Sequence, residues 1–185
     1  MKSIAETIDE AAEGRAKGPR DLELPPWSKG RYGSAVGRAV HGVLQIVDLQ
    51  TGGGLAQAVA AQTLTEGVVD QTSLVQALAQ SALDSDLVRR AADREHWRET
   101  YVGTEQADGS ILEGYVDLIF RDDDGTLVVV DYKTDAVPAG GLMSRVTYYR
   151  PQMEAYRTCL AAATGSRVVV QLLFLHPQAA TAIAV

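Results

Sequence analysis

Apolar residues along the chain fall into two patterns, one typical of helices and one typical of strands. A stripe of valine and leucine at helical spacing predicts a helix over Gly33–Leu49. Pro151 fits the first turn of a later helix, and Gly165 is positioned to end it. The remaining helices are predicted over Leu55–Val69, Ser73–Leu83, Ser85–Ala92 (with Ser85 as N-cap) and Tyr148–Ala163.

Runs rich in β-branched and aromatic residues predict the strands. These runs are Trp97–Thr104, Ile111–Arg121, Thr126–Lys133, Arg167–Leu175 and Thr181–Val185. The second and third flank Asp-Asp-Asp-Gly at Asp122–Gly125, a strong signal for a tight antiparallel hairpin. We therefore expect an α/β fold, with a central mixed sheet of about four or five strands flanked by helices.

The start of the chain is less regular than the rest. Lys2–Glu13 has loose apolar spacing that predicts a short, weak helix, and the prolines of Gly18–Tyr32 predict an extended connector. We divide the chain into this appendage, residues 1–32, and a domain over residues 33–185 with a helical insertion at about 55–92. A weak helix followed by a connector at the start of the chain suggests a fragment of a longer protein.

Composition narrows the classes of function. The formal net charge of −7 argues against tight nonspecific duplex binding by the isolated chain, although a local basic groove or delivery to DNA by a partner stays open. The single cysteine, Cys159, excludes an internal disulfide framework and a four-cysteine zinc or iron–sulfur site. The single cysteine also favours a reducing, cytoplasmic setting. No apolar run is long enough to span a membrane, and the N-terminus lacks a signal-peptide core.

Each strand of the predicted hairpin carries an acid that its apolar pattern does not explain. Asp117 lies inside the first strand, and Asp131 ends the second directly after three valines. Alternation places Asp131 and Lys133 on the same side, and the turn can bring Asp117 near them. Carboxylates brought together in this way repel each other, and oxygen ligands suit Mg²⁺ or Mn²⁺.

These residues and their neighbours resemble a known family. Asp117, then Asp131-Tyr132-Lys133, then Gln152-x-x-x-Tyr156, preceded by Gly-x-x-Val-His at 37–41, resemble the motifs of the RecB-type branch of the PD-(D/E)XK nucleases. The stretch from Leu24 to Lys133 is similar to the C-terminal nuclease domain of UvrD/RecB-like helicase–nucleases of actinobacteria, and the resemblance covers roughly residues 21–176. The resemblance implies a restriction-endonuclease-like core and a Mg²⁺- or Mn²⁺-dependent, exodeoxyribonuclease V-like enzyme acting on DNA in repair or recombination.

The resemblance also implies roles for individual residues. His41, Asp117 and Asp131 would be metal ligands, Lys133 would position or polarise the attacking water, and Asp117, Asp131 and Lys133 would form the catalytic set. Glu99 is a possible additional acid, preferred to Glu95 because it lies inside a predicted strand. Gln152 and Tyr156 would hold DNA and support the site. The chain lacks the cysteines of the iron–sulfur members and an ATP-binding P-loop, so the helicase partner would be a domain of the same longer chain or of a complex.

Two other functions remain open at this point. The chain can be a nuclease fold that binds DNA or another protein of a complex without cleaving, which failure to bind Mn²⁺ would favour. It can also be a Holliday-junction or restriction-type endonuclease, which would usually require a dimer. Taken alone, Asp131 and Lys133 would more often be a solvated ion pair at a strand end. The accompanying motifs favour the nuclease.

Overall fold

The two strands of the hairpin form the centre of a mixed β-sheet. The structure is a computed structural model that describes residues 2–3, 34–105, 108–109, 111–135, 137 and 140–185. Within these ranges the strands are β1 (Lys2–Ser3), β2 (His96–Glu105), β3 (Ile111–Arg121), β4 (Leu127–Lys133), β5 (Val168–Phe174) and β6 (Thr181–Ala184). The helices are α1 (Ala35–Ile46), α2 (Leu55–Thr65), α3 (Thr72–Asp84), α4 (Asp86–Ala92) and α5 (Leu142–Thr164), with a 3-10 turn at Val69–Gln71.

The order across the sheet is β2-β3-β4-β5-β6. The β4–β5 pair is parallel, and the β2–β3, β3–β4 and β5–β6 pairs are antiparallel. The two-residue β1 pairs in parallel with the start of β3. It lies on the same side of β3 as β4, which pairs with the last residues of β3. The α/β fold and the mixed sheet are confirmed.

Helices cover both faces of the sheet, because β4 is buried along almost its whole length and cannot present a polar side. On one face α1 to α4 pack through residues such as Val40 and Val75 against Phe120 of β3. On the other face α5 packs through Met153 against Val129 of β4. The hairpin therefore lies in the middle layer of three, where helices from either side can reach the ends of its strands.

The turn of the hairpin also contacts the end of α4 and so connects the helices of one face to the sheet. Gly125 has a φ of 83°, which the tight turn requires, and its amide donates to the carbonyl of Asp122 at 2.9 Å. The Asp122 carboxylate forms ion pairs with Arg90 and Arg94 at the end of α4. Ser85 accepts a hydrogen bond from the amide of Val88 at 3.2 Å, so the predicted N-cap of α4 is confirmed.

The predicted start of the last helix is wrong. The sequence pattern places it at Tyr148, with Pro151 in the first turn, but α5 begins at Leu142 and contains Pro151 in its interior. The missing N–H of a proline removes one helical hydrogen bond. Burial of Val146 against the sheet stabilises the two turns that precede the proline. The predicted end is confirmed, since Gly165 caps α5 with a φ of 66°.

The N-terminal prediction is wrong where it can be compared with the structure. Lys2–Ser3 is a strand paired with Leu112 and Glu113, whereas the sequence pattern predicts a helix over Lys2–Glu13. The rest of that helix and the proline-rich connector lie outside the described residues, and the division at residue 33 stays a prediction. No helix in the described part of the chain combines the length and the apolar character needed to cross a membrane.

Candidate active site

Asp117 of β3 contacts two different elements through its two carboxylate oxygens. Its Oδ2 accepts a hydrogen bond of 2.6 Å from the amide of Tyr132 on β4. Its Oδ1 lies 2.9 Å from Nδ1 of His41 on α1. Because the backbone of β4 and a side chain of α1 both contact it, the Asp117 carboxylate is held in one orientation.

His41 reaches Asp117 because α1 packs closely on the end of β4. A Cβ atom on Gly37, one turn before His41, would lie only 2.8 Å from Oγ1 of Thr134, so this approach requires glycine. The ring of Tyr132 packs edge-on against the imidazole, with the ring centres 5.9 Å apart. The close contact at Gly37 therefore sets the position of the imidazole over the end of β4.

Glu99 joins this pair from β2. The register pairs Arg98 with Leu118 and Thr100 with Val116, which places Glu99 opposite Asp117. Glu99 has a φ of 49°, a left-handed conformation that costs about 1–2 kcal/mol for a residue with a side chain. One ligand atom from each of His41, Glu99 and Asp117 lies within 4.8 Å of the others. We call these three residues the His-Glu-Asp cluster.

The cluster is electrostatically strained, because two carboxylates share a half-buried space. Burial and then the charge of Asp117 raise the pKa of Glu99 to about 7. Burial alone would lower the pKa of His41, but the charge and hydrogen bond of Asp117 outweigh it and raise this pKa to about 9. Burial also opposes ionisation of Asp117, yet His41 and the Tyr132 amide hold its pKa below the usual value. Without another cation, the positive charge of the His41 imidazolium balances the negative charge of only one of the two carboxylates.

Asp131 and Lys133 form a second arrangement beside the cluster. Nζ of Lys133 lies 2.6 Å from Oδ2 of Asp131, so the two buried groups form an ion pair. Burial raises the pKa of Asp131 against the opposing charge of Lys133. The same ammonium donates to Oε1 of Gln152 at 3.0 Å and lies 4.0 Å from the centre of the Tyr149 ring. These contacts are typical of a charged ammonium held in one place.

A chain of hydrogen bonds continues from Lys133 through α5 to β3. Gln152 donates to the hydroxyl of Tyr156 at 3.1 Å, and Tyr156 donates to the carbonyl of Tyr115 at 2.7 Å. Gln152 and Tyr156 are 8% and 3% exposed, so their side chains lie inside the protein. Gln152 contacts Lys133 directly, and Tyr156 contacts Gln152. Their predicted support of the site agrees with this geometry, whereas contact with DNA stays a prediction.

Comparison with known proteins gives the family. The model of the PD-(D/E)XK nuclease superfamily matches residues 17–183. This chain belongs to the PD-(D/E)XK nuclease superfamily. It is 31% identical, over 80% of its length, to an ATP-dependent helicase/nuclease subunit of Desulforudis audaxviator, but spans only 14% of that relative. With the corresponding subunit of Alkaliphilus oremlandii it is 35% identical over 37% of this chain and 6% of the relative.

A solved structure agrees with the assignment at the level of the fold. The crystal structure of a candidate exonuclease from Eubacterium rectale matches with a TM-score of 0.58, covering 99% of this chain and 71% of that one. At 16% identity this match shows the fold alone. The predicted similarity to the nuclease region of helicase–nucleases is thus confirmed, while these relatives give no support to the predicted actinobacterial origin.

The donor set of this nuclease superfamily member fits a divalent cation. An imidazole and two carboxylates converge, and nitrogen with oxygen donors suits Mn²⁺, while oxygen donors suit Mg²⁺. The structure brings His41 and Asp117 together as predicted, and adds Glu99, which the sequence indicates only as a possible further acid. Asp131 lies outside the His-Glu-Asp cluster and contacts Lys133 instead.

Some contacts at this candidate site are not indicated by the sequence. Tyr149 supports the ammonium of Lys133, and its own hydroxyl donates to Oδ2 of Asp135 at 2.5 Å. From the sequence alone, Asp135 is interpreted as a loop cap. The adjacent tyrosines before Pro151 are the signal available in the sequence, but only a helix that begins at Leu142 places Tyr149 over the lysine.

Proposed function

We propose that this chain is the nuclease domain of a helicase–nuclease and that it hydrolyses phosphodiester bonds of single-stranded DNA in repair or recombination. The observation that carries the proposal is the His-Glu-Asp cluster beside the fixed ammonium of Lys133. The cation would be Mg²⁺ or Mn²⁺, the action exodeoxyribonuclease V-like, and the compartment the cytoplasm. The similarity to helicase/nuclease subunits supports DNA as the substrate and a helicase module as the partner.

His41, Glu99 and Asp117 would hold the cation, and Asp131 stays a candidate for a further ligand. A bound divalent cation supplies charge at the phosphoryl oxygen and lowers the pKa of water. His41 binds a cation only as a neutral imidazole, so cation binding would release the proton that the raised pKa of His41 keeps bound up to about pH 9.

Lys133 would stabilise negative charge on the phosphate during attack. Its ammonium is paired with Asp131 and hydrogen-bonded to Gln152, so it is already oriented before a substrate arrives. Preorganised charge of this kind is usually the largest contribution to catalysis. Asp131, Gln152 and Tyr149 would act through Lys133 as positioning residues.

The experiment compares two neighbouring glutamates. Glu99→Gln should reduce Mn²⁺-dependent cleavage of single-stranded DNA on the order of 10²–10³-fold, the scale seen when one electrostatic element of a site is lost. Glu95→Gln is the matched control, because Glu95 lies on the surface and pairs with Arg121. Mn²⁺ binding, measured by titration calorimetry, should weaken in Glu99→Gln and in Asp117→Asn, and stay unchanged in Glu95→Gln.

Two results would contradict the proposal. Equal loss of cleavage in the Glu95 and Glu99 variants would show that the cluster has no special role. A wild-type protein that binds DNA but neither binds Mn²⁺ nor cleaves would instead be a non-catalytic module on a nuclease fold.

A further inference from the structure

Two tyrosines beside the candidate active site are exposed. Tyr101 of β2 and Tyr115 of β3 are direct partners in the β2–β3 register, and their rings meet edge to face, with 5.6 Å between the ring centres. They are 53% and 60% exposed. About half of the surface of each tyrosine is therefore accessible to a ligand. We call these two residues the tyrosine pair.

The tyrosine pair borders the His-Glu-Asp cluster along the same two strands. Glu99 and Asp117 each stand two residues away from a member of the pair, which is roughly 7 Å along a strand. Val102 and Val116, the next residues, are buried with the core under α5. The tyrosines thus project from the opposite face, on which α1 packs and brings His41 to Asp117.

Contacts on both strands hold the pair in place. The hydroxyl of Tyr101 donates to Oε2 of Glu113 at 2.5 Å. A Cβ atom on Gly103 would lie 3.2 Å from the same hydroxyl oxygen, so the ring extends over a position without a side chain. The carbonyl of Tyr115 accepts the hydrogen bond of Tyr156, at the end of the chain that starts at Lys133. The rings are therefore preorganised, which lowers the entropy lost when a ligand binds.

We propose that the tyrosine pair stacks an unpaired nucleobase of the strand whose phosphate lies at the His-Glu-Asp cluster. The inference rests on the proposed function and assigns its preference for single strands to Tyr101 and Tyr115. Aromatic rings stack on any base, and the bases of an intact duplex are already covered by their neighbours.

Charge and area favour a base over other occupants. The carboxylate of Glu113, hydrogen-bonded to Tyr101, repels a phosphate at this position, so the uncharged base is the part of a nucleotide that fits. A stable protein partner usually needs about 800 Å² on each side, far more than two half-exposed rings provide. The phosphate backbone then has to pass on the side of the pair that faces the cluster.

The test measures binding of the 185-residue chain to a single-stranded oligonucleotide that carries 2-aminopurine, whose fluorescence is quenched by stacking. EDTA is present, so that metal-dependent cleavage does not interfere. Tyr101→Leu and Tyr115→Leu should each weaken binding on the order of tenfold and reduce the quenching, as expected for the loss of one stacked base. Tyr115→Phe keeps the ring and should bind as the wild type does. Binding of a blunt-ended duplex should be the same in all variants.

The outcomes separate this proposal from the proposed function. Unchanged oligonucleotide binding in both leucine variants would overturn the stacking role, even if Mn²⁺-dependent cleavage is intact. Tyrosine-dependent binding in a protein that never cleaves would support stacking and contradict the nuclease proposal. A change only in the oligomeric state of the leucine variants would assign the tyrosines to contacts between protein chains and overturn stacking as well. Both positions are exposed, so thermal unfolding should change little and serves as the folding control.

Discussion

Replacing Asp131 by alanine removes the carboxylate that lies 2.6 Å from the ammonium of Lys133. The side chains of Asp131 and Lys133 are only 5% and 13% exposed, so water cannot replace the lost partner. The ammonium would keep the hydrogen bond to Gln152 and the face of Tyr149, neither of which carries a negative charge. Removing one partner of a buried ion pair typically costs about 3–5 kcal/mol. We expect Asp131→Ala to lose this much stability as well as its nuclease activity.

A second variant distinguishes the loss of stability from the loss of catalysis. In Asp131→Ala combined with Lys133→Met, no buried charge is left unpaired, and replacing both partners of such a pair by apolar groups is often neutral. Urea denaturation should therefore return the free energy of unfolding most of the way to the wild-type value. Cleavage of single-stranded DNA in Mn²⁺ should remain absent, because the lysine proposed to stabilise the phosphate is gone.

Two measurements would refute this reasoning. If Asp131→Ala unfolds at the wild-type urea concentration, the pair is not a buried ion pair in solution. If the double variant is no more stable than the single one, the loss arises from packing around residue 131 and not from an isolated ammonium.

Three further predictions concern Gly37, His41 and Ser85. Gly37→Ala places a Cβ atom 2.8 Å from Thr134, so it should lower the free energy of unfolding by about 1–3 kcal/mol, measured by thermal unfolding, and weaken Mn²⁺ binding. Gly42→Ala is the control, because its Cβ atom meets only a flexible glutamine side chain and should be tolerated. The raised pKa of His41 means that its imidazolium stabilises the metal-free fold fully below about pH 6.5 and ceases to do so as pH rises through about 9. The melting temperature in EDTA should fall over that range, and less so in His41→Gln; equal slopes would contradict this. Ser85→Ala removes the N-cap of α4 and should cost about 1 kcal/mol in urea denaturation, so an unchanged midpoint would count against the cap.

The elements that the sequence predicts best are those with a strong local pattern. The bounds of β3 agree with the prediction, and β4 differs by one residue, because β-branched runs on both sides of Asp-Gly leave little choice of register. Gly165 ends α5 by its own backbone preference. The pairing of Asp131 with Lys133 also follows from alternation along one strand.

Features that depend on contacts between distant segments could not be predicted. Pro151 lies in the interior of α5 and favours a later helix start, and burial of Val146 against the sheet outweighs this preference. The left-handed φ of Glu99 has no signal in the sequence, since glutamate rarely adopts this conformation. Tyr149 reaches Lys133 only through the earlier start of α5.

The site is built from residues on both faces of one sheet. Its charged groups can therefore lie close together while different elements hold each of them. The His-Glu-Asp cluster comes from α1, β2 and β3, whereas Lys133 is oriented by Asp131 beside it and by α5. Asp117 connects the two parts, because one oxygen contacts His41 and the other accepts the Tyr132 amide between Asp131 and Lys133. A shift of α1 therefore changes the cluster first, and a shift of α5 changes the lysine first. Because Asp117 accepts the amide of Tyr132, a shift of either part would have to displace β4, where packing is tight and movement is costly.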